Sequence, residues 1–321
     1  MTDHLLQTAL DWHRDGRAVA VACVIETWGS APRGVGSLLI IDGEGRMEGS
    51  VSGGCVEGAV IMEALDAIPK GAARLLDYGV SDDEAFAVGL ACGGRIRVLV
   101  EPVGGAMPVH LLEQLVAAIA AREPVAYVTR LDGDARKLAH PVDYPERFRL
   151  DRSGLEEDGA TFVAVHNPPL RMIVVGAVHI AQALLPMARA CGFDPVLIDP
   201  RGAFGSADRF PGETILEDWP DEAMAAFAPD SRTAVVTLTH DPKLDDPAIT
   251  QTLGSHAFYL GCLGSTRTHA KRVARLEAAG FPPDDIARIH APVGLDLGGR
   301  APAEIAVSIM AQVIATLRRA R

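Results

Sequence analysis

Two glycines and a cysteine stand immediately before a helical pattern in the segment GSVSGGCVEGAV. Gly53 and Gly54 can adopt backbone conformations closed to other residues and let a ligand approach the main chain. From Val56 onward the apolar residues recur at helical spacing until Pro69, so Cys55 is predicted to lie near a helix N-terminus. Such a position favours a thiolate and attracts anions. The alternative is that Cys55 is a small buried hydrophobic residue, as most free cysteines are.

A second cysteine, Cys92, has the same small-residue setting in ACGG, where Gly93 follows it. Thiols in glycine loops predict contact with a soft metal or a sulfur species, because thiolate is the ligand and the nucleophile. Neither cysteine has a histidine nearby in sequence, which argues against a protease nucleophile. Cys23, Cys191 and Cys262 lie in strand or helix patterns, and we interpret them as core residues.

A glycine turn follows the apolar strand in LRMIVVGAVHIA. Dinucleotide binding needs small residues for the tight turn, for approach of the pyrophosphate and for helix packing. Gly176 and Ala181 satisfy the first and third needs, but Val178 stands at the second, and its branched side chain argues against ordinary NAD binding. Asp199 ends the next strand and either accepts a ribose hydroxyl or caps the following turn. His179 at the helix start either faces the crevice, caps the helix or lies in solvent.

Polar residues also follow two later strands, in THDPKLDD and GCLGSTRTHAKR. Ligands of open parallel sheets bind beyond the carboxyl ends of the strands, so these loops are candidate binding segments. Gly264 and Ser265 before a helix suit an anion, and Arg267 suits phosphate. The alternative is a capping serine beside a solvated arginine. Arg33 in SAPRGVGS is a further candidate for anion contact, with a solvated loop arginine as the alternative.

The composition limits the classes of partner. The chain has 321 residues, 48% hydrophobic and 22% charged, which is enough for two domains. A formal net charge of -12 without a basic stripe argues against nucleic acid and anionic membrane as main partners. The N-terminal segment predicts an amphipathic helix rather than a signal peptide, and no apolar run reaches the ~18 residues that span a bilayer, so we expect a cytoplasmic protein. Five widely spaced cysteines without a CxxC pair exclude a zinc ribbon.

The elements that must position these residues indicate an α/β protein. Strand patterns in AVAVACVIET, GSLLIIDGEGRMEGSV and RIRVLVEPV surround the SGGC helix and predict an α+β domain over residues 1–105. Residues 106–169 predict a helix at 109–121, then a hairpin with an Asp-Gly turn and a polar, proline-bearing connecting segment. From 170 to 321, a βαβ start with further strands and helices predicts a Rossmann-like domain with a parallel sheet.

Together, several of these segments resemble the XdhC/CoxI family, the maturation factors of xanthine and carbon monoxide dehydrogenases. The resemblance covers nearly the whole chain and keeps the family's motif order. It implies a CoxI-type N-terminal domain and an XdhC C-terminal domain of Rossmann-like fold. The segments that carry it are ETWGSAPRGVGSLLI, GSVSGGCVEGAV, LACGGRIRVLVEP, VLIDPR, THDPKLD, YLGCLGSTRTHAKR and HAPVGLDLGGRAPAEIAVSIMAQVIA.

What the resemblance implies is a molybdenum-cofactor chaperone. Such proteins bind molybdopterin or its cytosine dinucleotide as cargo, protect it while a cysteine desulfurase supports its sulfuration, and deliver it to a molybdenum hydroxylase. Cys55 and Cys92 match the family's SGGC and CGG cysteines, and Arg33 matches its APR arginine. The implied roles are contact of Cys55 with molybdenum or sulfur, and of Arg33 and the glycine turns with phosphate. A homodimer is also implied.

The resemblance favours a maturation factor over an enzyme, but two other functions stay open. One is an NAD(P)-dependent oxidoreductase that uses the Rossmann-like domain. The family's usual GAGH turn reads GAVH here, and Val178 argues against that function. The other is a scaffold that has lost its ligand and keeps only a protein partner.

Overall fold

The computed structural model describes residues 3–29, 31–79 and 94–319. The chain forms two compact units, Met1–Pro168 and Pro169–Arg321. Cys92 and Gly93, both predicted to contact the cofactor, lie outside the described residues. Within the described ranges, no helix is both long enough and apolar enough to cross a membrane.

A five-stranded antiparallel sheet in the order β3-β2-β1-β5-β4 forms the first part of the N-terminal unit. Its strands are β1 (Val19–Trp28), β2 (Leu38–Asp42), β3 (Met47–Gly49), β4 (Arg74–Tyr78) and β5 (Arg95–Pro102). Helix α1 (Asp3–Arg14) packs on one face and α2 (Glu57–Ala67) on the other. All side chains of β2 are buried because both faces of the sheet are covered. The predicted α+β arrangement and the helix after Cys55 are confirmed.

A second sheet, in the order β7-β6-β9-β8, completes the N-terminal unit. Its strands are β6 (Val125–Arg130), β7 (Arg136–Ala139), β8 (Gly154–Leu155) and β9 (Thr161–His166), and its helices are α3 (Val109–Ala120) and α4 (Pro145–Leu150). Helix α3 and the β6–β7 hairpin match the sequence prediction. The polar stretch beyond them, predicted as the connecting segment to a second domain, instead folds as α4, β8 and β9, and its side chains Phe148 and Phe162 are buried.

The C-terminal unit is a six-stranded parallel sheet in the order β12-β11-β10-β13-β14-β15. Its strands are β10 (Leu170–Val175), β11 (Phe193–Ile198), β12 (Thr214–Leu216), β13 (Thr233–Thr237), β14 (Tyr259–Cys262) and β15 (Ile289–His290). Its helices are α5 (His179–Ala190), α6 (Pro220–Phe227), α7 (Pro242–Leu253), α8 (Thr266–Ala278), α9 (Pro283–Ile286) and α10 (Pro302–Arg318).

This strand order confirms the predicted Rossmann-like domain. Helices α5 and α10 pack on one face of the sheet, and α6, α7, α8 and α9 pack on the other. The chain leaves β10 toward β11 on one side and returns to β13 on the other. The carboxyl ends of β10 and β13 therefore form the topological switch point, where ligands bind in sheets of this kind.

Candidate functional site

Cys55 lies in the loop between β3 and α2, two residues before the helix begins at Glu57. The two glycines before it have positive φ angles, 77° at Gly53 and 113° at Gly54, which favour glycine over any other residue. Cys55 is half-buried and packs against the core under α2. The thiol is therefore neither fully buried nor freely exposed, but held at the edge of the core.

Glu57 holds this loop together. Its Oε1 accepts hydrogen bonds from Ser50 Oγ at 2.8 Å, Ser52 N at 2.9 Å and Val51 N at 3.2 Å. Its Oε2 accepts from Gly54 N at 2.8 Å and from Ser52 Oγ. Burial opposes ionisation, but these hydrogen bonds, led by those from Ser52, lower the pKa of Glu57 to about 2. The carboxylate is therefore ionised at neutral pH.

Further hydrogen bonds close the loop on itself. Gly53 N donates to Ser50 Oγ at 2.9 Å, and Val56 N donates to Ser52 Oγ at 2.9 Å. With Gly54 N bound to Glu57, both glycine N–H groups are satisfied within the protein. What these glycines offer a ligand is close approach without a side chain, not a pair of free donors.

The structure brings the APR loop beside the SGGC loop. A Cβ added at Gly53 would lie 3.5 Å from Pro32 Cβ. The next residue, Arg33, is exposed, and among the described residues it makes no hydrogen bond or ion pair. Its charge is therefore free to meet an anionic group at this end of the N-terminal unit.

In the C-terminal unit, the glycine turn after β10 is bound to the end of β11. Gly176 has φ 111°, and Ala177 N donates to Asp199 Oδ2 at 2.7 Å. Asp199 is fully buried and also accepts from Arg201 Nε and Nη2 at 2.8 and 2.7 Å. Burial opposes its ionisation, but the Arg201 and main-chain hydrogen bonds outweigh burial and lower its pKa. Val178 is half-buried and packs in part against the core of this unit. Only part of its side chain therefore faces the crevice where a phosphate would approach.

The carboxyl ends of β10, β13 and β14 bring the glycine turn together with the THDPKLDD and GCLGSTRTHAKR loops. A Cβ at Gly176 would lie 2.4 Å from Thr239 Cγ2, and one at Gly264 would lie 3.6 Å from His240 Nδ1. His240 is exposed and has φ 63°, an uncommon conformation for a residue other than glycine. Gly176, Gly264 and His240 are thus gathered at the switch point.

The remaining predicted residues of this unit lie at helix starts. Ser265 is the N-cap of α8 and accepts a hydrogen bond from Thr268 N at 3.2 Å, which is the capping alternative. Arg267 follows in the exposed first turn of α8, and His179 is the exposed first residue of α5. The side chains of Arg267 and His179 have no hydrogen-bond or ion-pair partner in the described part of the chain.

Two buried charges beneath these loops were missed by the sequence analysis. Asp245 accepts from Thr239 Oγ1 at 2.6 Å and His240 N at 3.1 Å, and burial raises its pKa. Arg272 lies 3.7 Å from Asp245 and donates to Leu263 O at 3.1 Å. The pair ties the loop after β13 to the loop after β14. No local sequence pattern predicts this ion pair, because the two residues come from different helices.

The remaining described cysteines separate into two groups. Cys23 and Cys262 are buried, as predicted, and burial raises the pKa of both thiols, that of Cys262 to about 11. Cys191 is exposed, so its interpretation as a core residue was wrong. It is the C-cap of α5, where the chain leaves the packed helix. Within the described residues no cluster of three or more His, Cys, Asp or Glu side chains forms a metal site.

Comparisons with known proteins cover both units. Residues 12–79 match the XdhC and CoxI family, and residues 172–313 match the XdhC Rossmann domain. The chain is 31% identical to the molybdenum cofactor insertion chaperone PaoD of Escherichia coli, over 97% of this chain and 88% of that protein. It is 26% identical to a Bacillus subtilis protein described as a probable xanthine dehydrogenase subunit, over 95% of each chain.

A solved structure extends the comparison to the fold. A Bacillus halodurans protein described as a xanthine dehydrogenase superposes with a TM-score of 0.58 and 26% sequence identity, over 99% of this chain and 96% of that one. Sequence motifs, strand order and relatives therefore agree over both units. The chain belongs to the XdhC/CoxI family.

Proposed function

We propose that this protein binds the molybdenum cofactor as cargo and inserts it into a molybdenum hydroxylase of the xanthine dehydrogenase type. The observation that carries the proposal is the similarity to a molybdenum cofactor insertion chaperone over 97% of this chain. The name of the Bacillus subtilis relative supports the class of client. In the same proposal a cysteine desulfurase supplies sulfur to the bound cofactor, and the protein acts in the cytoplasm as a homodimer.

The N-terminal unit offers groups suited to the two ends of this cargo. The half-buried Cys55 thiol is a soft ligand for molybdenum or its terminal sulfur, and the side-chain-free surface of Gly53 and Gly54 permits close approach. Arg33 on the adjoining loop is exposed and cationic, which suits a phosphate group. We assign Cys92 and Gly93 to the same site on the strength of the sequence motif.

The C-terminal unit offers groups suited to a nucleotide. His179, Gly264 and Arg267 stand at the carboxyl edge of the parallel sheet, with Ser265 between the last two in sequence. We propose that these residues contact the phosphate and base of a nucleotide that binds to this unit. This role depends on side chains and on the α8 N-terminus, since Asp199 already binds Arg201 and Ala177 N.

Anaerobic purification from cells that make the cofactor tests the proposal. We expect molybdenum by elemental analysis and a fluorescent oxidised pterin in nearly equal amounts, and activation of an apo-hydroxylase by the loaded protein. Protein that carries neither molybdenum nor pterin would contradict cargo binding. Loaded protein that fails to activate any hydroxylase would contradict insertion.

Two substitutions locate the contacts. We expect Cys55→Ala to lower the retained cofactor by about tenfold or more, the range seen when a group near a metal is lost. Cys191→Ala, which removes the exposed thiol of the other unit, is the matched control.

Arg33→Ala should weaken retention by about tenfold through loss of a charge-assisted contact. Arg46→Ala, at another exposed arginine of the same unit, should leave it unchanged.

An NAD(P)-dependent oxidoreductase is the competing function. The ion pair between Asp199 and Arg201 disfavours it, because it occupies the carboxylate that would bind the ribose hydroxyls. Saturable NAD(P)H binding at micromolar concentration, together with reduction of a carbonyl substrate, would establish the oxidoreductase instead.

A further inference from the structure

We propose that Glu57 is a positioning residue for Cys55: its buried carboxylate holds the Ser50 to Val56 loop in the conformation that presents the thiol to the cargo. The inference rests on the proposed function, since it names what sets the geometry of that site. Glu57 is 5% exposed and follows Cys55 by two positions in the chain.

The hydrogen bonds place anchors on both sides of the thiol. Before Cys55, Gly54 N is bound to Glu57 Oε2 at 2.8 Å. After it, Val56 N is bound at 2.9 Å to the hydroxyl of Ser52, and that hydroxyl itself donates to Glu57. Glycines lose more conformational freedom on ordering than other residues, so this loop would not keep one shape unaided. The carboxylate is the common acceptor that removes that freedom.

The same carboxylate determines where the cargo's charge can lie. Successive N–H groups that converge on one point form a nest that attracts anions. Here the N–H groups of Val51, Ser52 and Gly54 converge on the protein's own anion. A phosphate of the cargo is therefore repelled from this nest and directed toward the neighbouring loop that carries Arg33, which leaves Cys55 for the molybdenum end.

The test compares Glu57→Ala and Glu57→Gln with Glu63→Ala, a matched carboxylate removal on the same helix. The first measurement is cofactor retained after anaerobic purification. The second is the rate at which iodoacetamide alkylates Cys55 in cofactor-free protein, followed by mass spectrometry of its peptide. The third repeats both with added acetate, which can occupy the space left in Glu57→Ala.

We expect Glu57→Ala to retain about tenfold less cofactor and to alkylate faster at Cys55 but not at Cys191, with acetate partly restoring both. Glu57→Gln keeps the oxygen that accepts from Ser50 Oγ and Val51 N, but it places an amide N–H where Oε2 accepts from Gly54 N. Its effects should therefore be intermediate. Glu63→Ala should match the parent in every measurement.

The outcomes separate this inference from the proposed function. If the parent protein retains no cofactor, the proposed function fails, and the alkylation rates and acetate rescue still decide the role of Glu57. If Glu57→Ala is folded by circular dichroism and equals Glu63→Ala in retention and alkylation, the inference is overturned. If Glu57→Ala does not fold, Glu57→Gln decides, and an unchanged Cys55 alkylation rate in it overturns the inference.

Discussion

Asp199 and Arg201 form a two-bond ion pair at the end of β11, with Nε to Oδ1 at 2.8 Å and Nη2 to Oδ2 at 2.7 Å. The same carboxylate accepts Ala177 N from the glycine turn at 2.7 Å. A residue position that binds ribose in dinucleotide-binding folds is here part of the protein's own packing. This relationship separates the C-terminal unit from an ordinary NAD-binding domain although the strand order is the same.

Asp199→Ala should therefore act on stability. It leaves Ala177 N and the Arg201 guanidinium without their acceptor, so we expect the free energy of unfolding to fall by about 2–4 kcal/mol. Urea unfolding followed by circular dichroism measures this, and Asp194→Ala, at an exposed position of the same strand, is the control. Unchanged stability combined with weakened NAD(P)H binding would assign Asp199 to a ribose instead.

Gly176→Ala tests the close approach of the glycine turn to the loop after β13. The added Cβ would lie 2.4 Å from Thr239 Cγ2 at a backbone φ of 111°, so strain and overlap act together. We expect a loss of about 2–4 kcal/mol in the free energy of unfolding. Gly192→Ala, with φ 84° but nothing within 4 Å, should cost only about 1–2 kcal/mol.

A second substitution identifies the cause of that loss. Thr239→Ser removes the methyl group that the new Cβ would meet and keeps the hydroxyl that binds Asp245. In the Gly176→Ala background it should recover the part of the loss due to overlap. No recovery at all would attribute the whole effect to backbone strain.

The buried pair of Glu101 and Arg136 predicts a pH dependence of stability. Their side chains are 5% and 4% exposed, and Arg136 Nε lies 2.6 Å from Glu101 Oε1. Burial outweighs the attraction of Arg136 and raises the pKa of Glu101 from 4.5 to about 7. The folded state then holds a proton that the unfolded chain has already released, so this group's contribution to stability is present below about pH 4.5 and lost as pH rises through 7.

Glu101→Gln isolates this contribution because glutamine does not titrate. The free energy of unfolding of the parent minus that of Glu101→Gln should decrease between pH 5 and about 7.5 and level off above. Urea unfolding across this range measures it, with Glu123→Gln at an exposed position as the control. A difference that grows with pH would mean that pairing with Arg136 dominates burial.

Alkylation of the native protein should follow thiol exposure. We expect Cys191 to react fastest and Cys55 more slowly, because the first is exposed and the second half-buried. Cys23 and Cys262 should be protected by at least about 100-fold, since burial keeps both as neutral thiols. Peptide-resolved mass spectrometry of a time course measures all four, and early reaction at Cys262 would contradict its placement in the core.

Much of the fold was predictable from local patterns. The alternation in β5, the apolar runs at 172–175 in β10 and 234–236 in β13, and the glycine between β10 and α5 each predict their element without knowledge of its neighbours. The helix and the two strands beyond the β6–β7 hairpin were not predicted. Their turns are polar, and the burial of Phe148 and Phe162 depends on a sheet that forms only when distant strands pair.

The sequence by itself determined the family, the α+β and parallel α/β units, and the placement of Cys55 just before a helix, because each follows from residue types at short spacing. Only the tertiary structure decided what the polar groups bind. Glu57 accepts hydrogen bonds from the N–H groups of the Cys55 loop. Asp199 accepts them from Arg201 and Ala177 N, and Asp245 forms an ion pair with Arg272 beneath the switch point. The physical reason is that a buried polar group must find a partner, and that partner is chosen by how the chain folds back on itself rather than by the residues beside it.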